Sequence, residues 1–76
     1  MIHEDITPGK YQHFKGGEYE VIGVANHSET LEKLVLYRAL YTSEKFGENA
    51  LWARPLELFT DTVTLDGGTV QRFKKI

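Results

Sequence analysis

Residues 25–32 read "ANHSETLE" and set His27, Ser28, Glu29 and Thr30 side by side. The group contains a base, a hydroxyl nucleophile and a carboxylate, so it invites hydrolytic chemistry: Ser28 attacking, His27 as general base, Glu29 orienting the imidazole. Chain neighbours rarely face one another in that arrangement, which also requires an oxyanion hole. No nucleophile-elbow pattern of glycines surrounds Ser28. A tight polar corner, in which Ser28, Glu29 or Thr30 bonds nearby backbone amides, explains the same residues with fewer demands. The favoured reading is that corner; contact with a ligand is its functional alternative, ahead of catalysis.

Four further residues carry chemical potential. His13, in "KYQHFK", falls on one face with Tyr11; it is expected either to pack beside aromatics with one nitrogen on a backbone carbonyl, or to contact a ligand near neutral pH. Arg38 is in register with Leu34, Leu36 and Leu40, so an inward-packing face would half-bury its guanidinium and require a partner such as Glu29 or Glu57. Trp52 and Arg54 share a face of "LWARP". Together these arginines and the tryptophan suggest an ion pair under a tryptophan lid, or a concave site where the indole stacks on a ligand and the arginines bind an anion. His3, His13 and His27 show no metal-ligand spacing, so neither metal nor cofactor is expected.

The elements that must position these groups are short. Pro8-Gly9 marks a turn, "YQHFK" alternates, and Gly16-Gly17 suits a hairpin turn leading into "EYEVIGV". The segment "ETLEKLVLYRALY" contains good helix formers, and Asn26 with Glu29 suits a capping box. A helix would nevertheless surround itself with Leu34, Val35, Leu36 and Tyr37, whereas a strand divides Leu34, Leu36, Arg38 and Leu40 from Val35, Tyr37, Ala39 and Tyr41. The strand is preferred. A polar loop, "TSEKFGENA", leads to the "LWARP" strand; Pro55 then starts one helical or 3₁₀ turn near residues 55–60, with Leu56 and Phe59 directed at the core. "VTLDGGTVQRF" reads as two strands about an Asp-Gly-Gly turn. The expected fold is all-β, a small SH3-like antiparallel barrel of five to six strands.

Seventy-six residues make one domain, spanning 1–76 with a flexible start at 1–8. A domain this short buries only about 60% of its unfolded surface. With no cysteine, neither disulfide nor thiolate zinc supports its core. The longest apolar run, "LVLY", falls far short of the ~20 residues of a membrane helix. The residues Met1 to Lys10 lack a secretion signal, and a soluble cytoplasmic protein with no membrane association is expected. The formal net charge of −2 gives no chain-wide attraction for phosphate backbones. Two local basic groups, Lys10, His13 and Lys15, and Arg72, Lys74 and Lys75, leave nucleic acid as a weak partner candidate.

"PGKYQHFKGGEYEVIGVANHSETLE", "LVLYRALY", "LWARPLELF" and the closing "RF" resemble, in the same order, a small bacterial domain family of unknown function. That family is recognised by a Tyr-x-His-Phe/Tyr-Lys-Gly start, a His-Ser-Glu-Thr loop and a Trp-x-Arg-Pro segment. The resemblance runs from Gly9 to Phe73. It implies a strand at "LVLYRAL", where members are often valine-rich, and it implies no activity, cofactor or partner; the long "TSEKFGENA" connection departs from it. Taken together, the residues point to a noncatalytic binding module for a peptide, nucleotide or anionic metabolite, working as a monomer or homodimer. Its expected ligand-binding residues are His13, His27, Ser28, Glu29, Thr30, Arg38, Trp52 and Arg54. A minimal enzyme with His27 or His13 as general base and a single-stranded nucleic-acid binder are the alternatives.

Overall fold

Alternating side chains separated by glycine turns make strands of most of the chain, and the computed structural model describes residues 6–76. The order is β1 (Gly9–His13), β2 (Glu18–Asn26), β3 (Lys33–Ala39), β4 (Thr42–Ser43), β5 (Gly47–Glu48), β6 (Leu51–Pro55), α1 (Leu56–Phe59), β7 (Thr62–Leu65), β8 (Gly68–Gln71) and β9 (Phe73–Lys75). Five strands form one antiparallel sheet in the order β6-β3-β2-β1-β9; β4–β5 and β7–β8 are separate two-stranded ladders. The all-β expectation holds, but the barrel does not close. Among the described residues, the edge strands β6 and β9 share no ladder.

Residues 33–39 form a strand, and burial shows which face the core selects. Val35, Tyr37 and Ala39 are 0%, 6% and 2% exposed, whereas Leu34, Leu36 and Arg38 on the opposite face are only half-buried. Register shifts between Val21 and Gly23, making Ile22 an extra residue in β2 and bending the sheet there. Pro55 ends β6 and precedes a single turn that buries Leu56 and Phe59. The Thr60 amide and hydroxyl both donate to the Leu56 carbonyl, at 3.0 and 2.9 Å, and stop the helix there.

The core unites Tyr11, Val21, Val35, Tyr37, Leu56, Phe59 and Phe73, with Ile6, Tyr19 and Trp52 packed at its margin. Of the start expected to be flexible, residues 1–5 lie outside the described residues. Ile6 packs on the core, and the Thr7 carbonyl accepts the Tyr11 hydroxyl at 3.0 Å. Apolar contact holds Ile6 and a hydrogen bond holds Thr7.

The β7–β8 turn places Asp66 at φ 48° and Gly67 at φ 81°, both in the left-handed region. Nothing lies within 4 Å of a methyl group built on Gly67, so Gly67→Ala would incur backbone strain alone. The expected loss is about 1 kcal/mol, read as a lower urea midpoint; an unchanged midpoint would show that this hairpin does not contribute to the cooperative unit.

Candidate functional site

The nine-residue β2 lies between two of the expected ligand-binding groups. His27–Thr30 lie beyond its C-terminal end and His13–Gly17 precede its N-terminal end. At about 3.3 Å per residue these ends are roughly 26 Å apart. His27, Ser28, Glu29 and Thr30 therefore lie at the far end of β2 from His13, and among the described residues they share no hydrogen bond or ion pair with His13, Trp52 or Arg54.

What the corner does is close the β2–β3 hairpin. The His27 amide donates to the Glu32 carbonyl at 2.7 Å, and the Leu31 amide to the His27 carbonyl at 2.8 Å. His27 Nδ1 accepts the amides of Glu29 and Thr30 at 3.1 and 3.3 Å, and Thr30 Oγ1 accepts the Glu32 amide at 3.2 Å. The Ser28 hydroxyl donates to Glu29 Oε1 at 2.7 Å rather than to the imidazole. Glu29 Oε1 is 3.6 Å from His27 Nδ1, beyond hydrogen-bond length. A neutral imidazole that accepts at Nδ1 carries its proton on Nε2, so in this geometry His27 offers a donor where a general base needs a free lone pair.

His13 follows the same rule. Its Nδ1 accepts the Lys15 amide at 3.1 Å, where a backbone carbonyl was expected, and Nε2–H has no hydrogen-bond partner among the described residues. The ring lies 4.9 Å from that of Phe73 and 4.6 Å from that of Phe14. Burial, and then the nearby charges of Arg72, Arg54 and Lys15, hold its pKa below the ordinary 6.5. The folded value lies below the unfolded one, so the stability linked to His13 is complete above 6.5 and is lost as pH falls from there through the folded pKa. Following its ring protons by NMR should give a midpoint below 6.5; a midpoint at or above that value would remove the positive surroundings inferred for this ring.

Arg54 comes to His13 from the opposite edge of the sheet. It pairs with Val35, and Trp52 with Tyr37, so both side chains lie on the core face. The Arg54 guanidinium is 5.6 Å from the Phe73 ring centre, with Phe59 stacked parallel on Phe73 at 4.2 Å. Tyr19 approaches the same ring at 5.7 Å. Its hydroxyl shares a 2.7 Å hydrogen bond with that of Tyr41, and burial followed by this bond pushes its pKa up, keeping the phenol protonated. Among the described residues no carboxylate lies within 4.0 Å of Arg54.

The geometry thus collects His13, Tyr19 and Arg54 around Phe73, at the rim of the core face. Trp52 packs at the margin of the core, where its ring and that of Phe46 meet edge-to-face with centroids 4.8 Å apart. Phe46 comes from the polar loop, where only its isolation among charged residues could have signalled a packing role. Tyr19 was likewise missed. Arg38 stands apart, facing outward beside Leu51 while Trp52 faces inward, so no tryptophan covers it. Its neighbour is Glu20, directly across on β2 at 4.0 Å, rather than Glu29 or Glu57. Among the described residues no three side chains suited to metal binding come together.

These features define a small all-β domain with an open antiparallel sheet and an arginine–histidine–tyrosine cluster at one rim. A family model described as a protein of unknown function, DUF1653, matches residues 9–75, and the chain belongs to that family. A crystal structure of a member from Bordetella bronchiseptica has 33% sequence identity and a TM-score of 0.87, covering 99% of this chain and 92% of the other. No curated protein matches the sequence. No helix among the described residues is long and apolar enough to cross a membrane.

Proposed function

We propose that this domain is a small noncatalytic binding module of the bacterial cytoplasm, whose rim cluster takes the anionic group of a peptide, nucleotide or metabolite. The observation that carries this reading is the approach of Arg54, His13 and Tyr19 to Phe73 from three different strands. Arg54 supplies a planar charged donor, His13 an Nε2–H, and the Tyr19–Tyr41 pair a hydroxyl, all beside aromatic surface that lowers the local dielectric. His27–Thr30 are assigned a structural role, and Arg38 a cross-strand one.

Titration of isotope-labelled protein with AMP, citrate and an acidic peptide tests the reading. Amide shifts should cluster at His13, Tyr19, Arg54 and Phe73. Absence of such a cluster with all three probes would overturn it.

A further inference from the structure

The pairing of β1 with β9 brings together two basic segments that lie 57 or more positions apart in the chain, setting Gln12 against Lys74 and His13 against Phe73. Neither segment contains a carboxylate. Most of its cations are already engaged. Lys10 pairs with Glu18 at 3.2 Å, Arg72 with Asp61 at 2.7 Å, and Lys75 lies 5.4 Å from the Tyr11 ring and 3.4 Å from the Pro8 carbonyl. Lys15 lies 5.8 Å from the Phe14 ring. Among the described residues Lys74 has no carboxylate, carbonyl or ring partner.

Beside Lys74 is a cleft of about 470 Å³, within the range of small-ligand sites. The β7–β8 hairpin forms one side. It joins no strand of the five-stranded sheet and is anchored at its base, where the Arg72–Asp61 ion pair and the Phe14 amide on the Arg72 carbonyl, at 2.8 Å, hold it. Its Leu65 and Val70, 43% and 41% exposed, face the cleft together with Phe14 from the β1–β2 turn. His13 and Gln71 add polar edges, and no acidic residue lines the space.

We infer that this cleft is a second binding site, for a small carboxylate with an apolar body such as an aryl or short alkyl acid. Charge complementarity selects the anion: Lys74 is an uncommitted ammonium in a cleft lined by no acidic residue, whereas Leu65, Val70 and Phe14 offer apolar surface to the remainder. The inference does not depend on the Arg54 cluster, although His13 borders both.

The test uses benzoate and hexanoate as probes, benzyl alcohol as the uncharged control, and a single-stranded oligonucleotide as a competing class. The two acids should shift the amides of Phe14, Gly16, Val70 and Gln71 with dissociation constants of about 1 mM. Lys74→Glu should weaken them at least about tenfold, whereas Arg54→Gln should leave them unchanged; the reverse pattern would place these acids at the Arg54 cluster and overturn the inference. Equal binding of benzyl alcohol, absence of clustered shifts, or displacement of the acids by the oligonucleotide would also overturn it. Should Lys74→Glu fail to fold, Val70→Glu, at an exposed position in the hairpin, gives the same reading by placing a carboxylate in the cleft.

Discussion

Phe59→Ala is expected to lose about 3–5 kcal/mol of stability. Phe59 is 1% exposed and stacked on Phe73 with an interplanar angle of 7°, and it also meets Tyr11 at 5.6 Å and Tyr37 at 5.4 Å. It reaches this position from a four-residue helix fixed by β6 on one side and Thr60 on the other, so little backbone can move in to fill the space. A core this small rarely provides more than about 3–5 kcal/mol in total, so the variant should be largely unfolded. Near-ultraviolet circular dichroism and urea titration would show it. Phe59→Leu keeps most of the volume and should fold with a lower midpoint. If the alanine variant unfolds cooperatively within about 1 kcal/mol of the parent, α1 is not the cover of this core.

Arg54→Gln carries the second large expectation. Removing a charged donor should weaken the anion that binds at the rim about 10–100-fold. The same substitution ends the guanidinium's contact with Phe73 between opposite edges of the sheet, which should cost about 1 kcal/mol in the unliganded protein. Calorimetric titration with AMP or citrate and urea unfolding without them separate the two effects. Arg54→Lys retains charge but not the planar fork, and should fall between parent and glutamine variant in affinity. A glutamine variant that loses stability and keeps its affinity would make Arg54 a brace alone. Anion binding should also raise the His13 pKa, because negative charge then offsets Arg72, Arg54 and Lys15.

Local signals carried much of the fold. The Gly16-Gly17 hairpin, the Pro55 turn with Leu56 and Phe59, and the Asp66-Gly67 turn each arise from residues within a few positions of one another. The strand at 33–39 was legible because its alternation relieves a crowding that a helix would create. Which face turns inward was not, since Leu34, Leu36 and Leu40 are as apolar as Val35, Tyr37 and Ala39; only the packing of Phe59 and Phe73 against Tyr37 decides it. The site divided in the same way. His13 and Arg54 were visible as candidates, but their meeting at Phe73 depends on a sheet that brings side chains of opposite edges together. His27–Thr30 appeared to belong with His13 because polar type is local information, whereas the length of β2 sets the two at opposite ends of a strand.

The open sheet has one more consequence. Edge strands expose unpaired backbone groups that can recruit another chain, and closure would have removed them at the expense of access to the rim. Here each edge is blunted in its own way. β6 is five residues long, carries Arg54 and ends at Pro55, which has no amide to donate. β9 is three residues long, two of them lysine. A strand arriving at either edge therefore meets a missing donor or a concentration of positive charge, both of which disfavour growth into a continuous intermolecular sheet while the sheet stays open.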